Sequence, residues 1–152
     1  MKKKGTGLAR MIPVWLTTLA TIIVLQTAVP LAVAQSLDFE YYRTRVEPIF
    51  LTKRPTHARC VVCHSTAENS TAFRLQPLLP GRTTWTEEQS RQNFTLVSQL
   101  VIPGDPTSSR LLMHPLSPDA GGDYFHGGGR QFASQQDPDW QVLATWVRQA
   151  KK

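Results

Sequence analysis

The stretch Cys60-Val61-Val62-Cys63-His64 holds both cysteines of this 152-residue chain and one of its four histidines. Two residues separate the thiols, so a single helical turn sets both on one face, with the histidine directly after them. Thiols at this spacing can form a disulfide, act as a redox pair, ligate a metal or add to a cofactor. A disulfide across two intervening residues is strained and stabilises little. A thioredoxin-like pair needs a βαβ context, and none surrounds these residues. A zinc site needs four ligands, and there is no second cysteine pair.

What remains is C-x-x-C-H, the attachment motif of haem c. In it the two thiols, Cys60 and Cys63, add to the two vinyl groups of one haem, and His64 becomes the proximal iron ligand. The motif occurs once, so one covalent haem is expected, and multihaem wires and di-haem peroxidases are set aside. Covalent attachment suits an exported chain, from which a loose cofactor is lost by dilution.

Upstream of the motif the chain begins with an address. Met1 to Arg10 is basic, an apolar stretch runs from Met11 to about Val33, and Ala32-Val33-Ala34 is an A-x-A cleavage signature. Residues 1–34 are therefore expected to be a secretory signal peptide, and residues 35–152 a single exported, periplasmic domain. The alternative is a retained anchor, because the apolar stretch is long enough to span a bilayer; membrane association through it then follows. The formal charge of +6 invites a nucleic-acid reading. Lys2, Lys3, Lys4 and Arg10 leave with the signal, however, and the other basic residues are scattered, with no run longer than two, so no nucleic-acid partner is expected. Asn69 and Asn93 open Asn-x-Thr sequons that read as chance matches.

Downstream the periodicity is helical, and the expected fold class is all-α. Ser36 to Leu51 carries Phe39, Tyr42, Val46, Ile49 and Phe50 on one stripe, with Pro48 bending or shortening its last turn. Residues 68–82 are polar and contain proline, and read as loop. Thr84-x-x-Glu87 reads as a capping box ahead of a helix over about Trp85–Leu100. Pro103-Gly104-Asp105-Pro106 is a turn, and Ser108–Met113 a short helix stopped before Pro115. Leu116 to Gln136 has five glycines and no clean period, which makes it a long loop. Asp137 caps a last helix with Pro138 in its first position and Trp140, Leu143, Ala144 and Val147 on its apolar face. First and last helices should pack together, with the haem between the motif and the glycine-rich loop. Phe39, Trp140 and Trp146 read as core residues.

The sixth iron ligand has several candidates. Met113 is the only methionine left after cleavage, but in Leu111-Leu112-Met113 it also completes an apolar face. His114 follows it and can cap the helix end. His57 lies only three residues before Cys60, too near to reach the opposite face. His126 opens His126-Gly127-Gly128-Gly129; a histidine among glycines has little structural reason to be there, and the glycines permit close approach and positive φ. His126 is thus the expected distal ligand, with Met113 and His114 as alternatives. Arg59, Arg74 and Arg130 lie near the motif or this loop and are candidate partners for haem propionates.

The run Val101-Ile102-Pro103-Gly104-Asp105-Pro106-Thr107-Ser108-Ser109-Arg110-Leu111-Leu112 resembles a segment of planctomycete-type cytochrome c domains. His126-Gly127-Gly128 and Trp140 to Val147 are similar to related planctomycete and acidobacterial domains. The resemblance spans about residues 39–149 and implies a small cytochrome c-like helical domain around one covalent haem, with long Gly/Pro-rich loops. Many such domains carry Met-Pro-Pro before the last helix; this chain has His126-Gly127-Gly128-Gly129 there, which favours two histidine ligands.

The expected function is electron transfer with redox proteins as partners, not enzyme catalysis. Two alternatives stand beside it: a gas or peroxide sensor or enzyme with an open distal site, and a haem subunit of a larger respiratory or photosynthetic complex. Leu78-Leu79 and Tyr124-Phe125 are the apolar pairs a complex would cover.

Overall fold

The computed structural model describes residues 36–55, 57–68 and 71–150. The secretory segment read over residues 1–34 lies outside them, as does Asn69. Within the described residues the regular structure is helical, with no strand beyond isolated bridges such as Leu116 with Phe132. No helix among them is long and apolar enough to cross a membrane.

The first helical run covers residues 39–51 in three joined pieces: an α turn Phe39–Tyr41, a π-helical stretch Tyr42–Val46 and an α stretch Glu47–Leu51. We call the whole run α1. The Asp38 carboxylate accepts from the Tyr41 N–H and caps its start. Pro48 neither breaks nor shortens it. The π stretch re-registers the ladder just upstream, and Pro48 then falls in the first turn of the last piece, where its missing N–H is not needed. Tyr42, Val46, Ile49 and Phe50 are buried, the stripe expected from their spacing.

The motif itself is a short helix, α2, Cys60–His64. After it, residues 71–85 contain no helix but are not a free loop. The Leu75 N–H donates to the His64 carbonyl at 2.9 Å and Leu75 is buried. The Gln76 N–H donates to Asn93 Oδ1 at 2.7 Å. That bond, with the full burial of Asn93, gives its sequon a structural role.

Helix α3 is Glu87–Ser98, and here the capping box differs from the expected one. It is Thr86 with Gln89, two residues beyond Thr84. The physical reason is Trp85: its indole is buried and donates to the Gln76 carbonyl at 2.7 Å, which holds that residue in the loop. A 3-10 turn Pro106–Ser108 then leads into α4, Arg110–Met113, so the one short helix expected over 108–113 is two pieces pivoting on Ser109. Ser109 is buried; its hydroxyl donates to the Asp105 carbonyl at 2.6 Å and accepts from the Ile102 N–H at 2.9 Å. The glycine-rich loop contains one 3-10 turn, Pro118–Ala120, and leads to the last helix, α5, Pro138–Arg148.

Helix α5 starts where the sequence puts it. Asp137 accepts from the Asp139 and Trp140 N–H groups, and Pro138 takes the first position. Trp140, Leu143, Ala144, Trp146 and Val147 are buried. Trp146 joins α5 to α1 as expected: its ring lies 5.5 Å from Tyr42, and its indole N–H donates to the Asp38 carbonyl at 2.9 Å. Phe94 of α3 sits edge-on to Tyr42 at 5.3 Å, which completes an aromatic core of three helices.

Candidate functional site

A cavity of about 100 Å³, partly open to solvent, lies between α2, residues 71–73, the start of the glycine-rich loop and its far end. Its walls are mainly apolar, from Ile49, Phe50, Phe73, Leu100, Leu111, Phe132 and Leu143. The polar groups in the wall are few and include Cys60, Cys63, His64, His114 and His126. Five residues singled out from the sequence are thus brought to one cavity, although His64 and His126 are far apart in the chain.

Each histidine is oriented from behind. The His64 Nδ1–H donates to the Phe73 carbonyl at 2.9 Å, with the Thr71 hydroxyl 3.5 Å away. The His126 Nδ1–H donates to the Gly129 carbonyl at 2.5 Å. His114 Nδ1 pairs with the Asp123 carboxylate at 2.7 Å. A proton held at Nδ1 puts the basic lone pair on Nε2, and a carbonyl or carboxylate behind a histidine is the usual support of a metal ligand. Burial is the main cause that holds His64 and His126 below the usual histidine range, which keeps both rings neutral.

The rings of His64 and His126 are 13° from parallel, with centroids 6.4 Å apart. Two metal–nitrogen bonds of about 2 Å, plus about 1.1 Å from each nitrogen to its ring centre, span about 6.2 Å. That centroid separation is what two imidazoles on one metal would show if their Nε2 atoms faced each other across it. His114 stands edge-on to His126 at 5.0 Å. No group of three or more His, Cys, Asp or Glu side chains among the described residues is placed to hold a metal ion by itself.

Cys60 and Cys63 are free thiols, the first half-buried and the second exposed. Burial pushes the Cys60 thiol up to about 11. The other sequence candidates are placed as follows. Met113 packs against the apolar core and is not in the cavity wall. Arg59 is in the wall, while Arg74 and Arg130 are not; the Arg130 guanidinium donates to the Tyr124 carbonyl. Leu78 packs against the core, whereas Leu79, Tyr124 and Phe125 are exposed.

Two wall residues, Arg110 and Gln131, were not legible as site residues, and His57, weighed as a ligand, sits elsewhere. Arg110 lines the cavity, one helical turn before His114, and that i, i+4 spacing is the signal that links them. Gln131 is buried and also lines it. His57, set aside for its nearness to Cys60, packs its ring against Gly129 instead: a Cβ on Gly129 would lie 2.5 Å from His57 Nδ1. Gly129 has φ +82°, so its conformation and its lack of a side chain are both in use.

No protein-family model, curated protein or solved structure matches this chain.

Proposed function

We propose that the chain is an exported, periplasmic monohaem c-type cytochrome with a cytochrome c-like fold, and that it carries electrons between redox proteins. The observation that carries this reading is the convergence of Cys60-Val61-Val62-Cys63-His64 and His126 on one apolar cavity. Cys60 and Cys63 would hold the haem covalently, and His64 and His126 would be its axial ligands, with His114 as the alternative to His126. His64 and His126 would supply two nitrogen ligands, and the remaining ligands of the iron would come from the macrocycle.

Haem supplies a one-electron ferric/ferrous couple when bound. The chain's own part is to hold and to exclude. Phe73 and Gly129 carbonyls fix the two imidazoles, which limits rearrangement between oxidation states. The apolar wall limits contact with water, and burial together with axial ligation would set the potential. Arg59 and Arg110 are the cations in the wall that would pair with propionates.

The test is the absorption spectrum of the purified exported protein, ferric and ferrous, with and without carbon monoxide. Covalently bound haem with low-spin spectra in both states, unmoved by carbon monoxide, is expected. Lack of covalent haem would sink the reading. A high-spin spectrum that shifts with carbon monoxide would favour the second reading, a small-ligand sensor or enzyme. That reading has its own observation: His114, with Asp123 behind it, stands beside His126 as a ready acid–base group.

A further inference from the structure

The residues just before Cys60 and those just after His126 are joined by contacts that the axial-ligand scheme does not use. The Gln131 side-chain amide donates to the Ala58 carbonyl at 3.3 Å and to the Gly128 carbonyl at 3.1 Å. Gln131 is only 8% exposed, and its backbone N–H is held by the Pro115 carbonyl at 2.9 Å. One buried side chain thus ties the lead into the attachment turn to the loop that carries the distal histidine. The His57 ring makes a second tie against Gly129, the residue whose carbonyl orients His126. His57 is itself anchored, since Lys53 Nζ donates to its carbonyl at 2.7 Å.

We propose that Gln131 and His57 are positioning residues that hold His126 at its distance from the attachment turn, and so keep the sixth coordination position shut to small exogenous ligands. This inference rests on the haem reading above. Its physical basis is the loop's composition. Gly127, Gly128 and Gly129 have no side chains to anchor the backbone, so its placement depends on the hydrogen bonds and packing contacts made to it. With those contacts made, His126 stays on the metal; with them lost, the loop moves away and the position opens.

The experiment follows carbon monoxide binding to the ferrous full-length exported protein at gas pressures and over times well beyond those of the spectral test above, so that the slow parent reaction, limited by departure of the distal histidine, can be read. Gln131→Glu keeps the size but loses the N–H donors, and His57→Ala removes the ring. Each is expected to speed binding by about tenfold, the effect of one net hydrogen bond or contact on an opening equilibrium. His57→Phe restores a flat ring against Gly129 and should return the rate to that of the parent. Val97→Ala, a core truncation in α3 away from the cavity, should lower the thermal midpoint and leave the rate unchanged. Parent-like rates in both Gln131→Glu and His57→Ala would overturn the inference while the haem reading stood. So would equal acceleration by Val97→Ala, which would make the effect one of general stability. A chain without covalent haem would remove the premise and the inference together.

Discussion

The imidazoles of His64 and His126 are 13° from parallel and 6.4 Å apart, each with its Nδ1 tied to a backbone carbonyl. Symmetry of support implies a common role. If both are axial ligands, His126→Ala should turn a low-spin ferric spectrum high-spin and admit carbon monoxide. His114→Ala should leave the spectrum low-spin, because His126 retains its own carbonyl. Met113→Leu should change neither, since Met113 packs in the core. Electronic absorption of the three variants decides the sixth ligand.

The lead into α2 is also fastened to α5. Arg54 donates to both Asp137 oxygens, at 3.0 and 3.3 Å, and to Asp139, and its guanidinium lies 4.8 Å from the Phe132 ring centre. Asp137 is the helix cap as well. Asp137→Ala therefore removes a cap and leaves a part-buried cation short of a partner. Denaturant unfolding should show a loss of about 2–3 kcal/mol.

Tyr42 is fully buried, and its hydroxyl has no hydrogen-bond partner among the described residues. Burial drives its phenol far above the usual tyrosine range, so it stays neutral. Removal of an unsatisfied buried hydroxyl relieves its desolvation cost. Tyr42→Phe should thus be stabilising by up to about 1–2 kcal/mol, read from the thermal or denaturant midpoint. A loss of stability would mean that the hydroxyl has a partner in solution.

Glu47 is buried, accepts from the Ser90 hydroxyl at 2.9 Å, and has one oxygen without a partner among the described residues. Burial raises its pKa above the usual 4.5. Between 4.5 and that raised value the folded chain binds more protons than the unfolded one, so stability falls as pH rises through this window. The cost is fully present only above that raised value. Glu47→Gln, which does not titrate, should remove this part of the pH slope in unfolding measured from about pH 4 upward. An unchanged slope would place its cause in other groups.

Sequence alone carried the local features a long way. Asp137-Pro138 marks the start of α5 because cap chemistry depends on adjacent residues. The apolar stripes of α1 and α5 identify their buried faces because helical periodicity is local. The misread features are those decided by distant partners. Thr84 has the spacing of a cap, yet the burial of Trp85 against Gln76 moves the cap to Thr86. Pro48 should disturb a regular α-helix, yet a π stretch beside it absorbs the change of register.

The candidate site divides in the same way. Cys60, Cys63 and His64 are named by covalent spacing, and His126 by the oddness of a histidine among glycines; both signals are short-range. Their convergence on one cavity, the carbonyls of Phe73 and Gly129 behind the imidazoles, and the contacts of Gln131 and His57 that join the two segments belong to the tertiary structure alone. The physical reason is that a backbone carbonyl or a glycine's missing Cβ has no chemical identity in the sequence. Such groups gain a role only when folding brings a particular side chain against them.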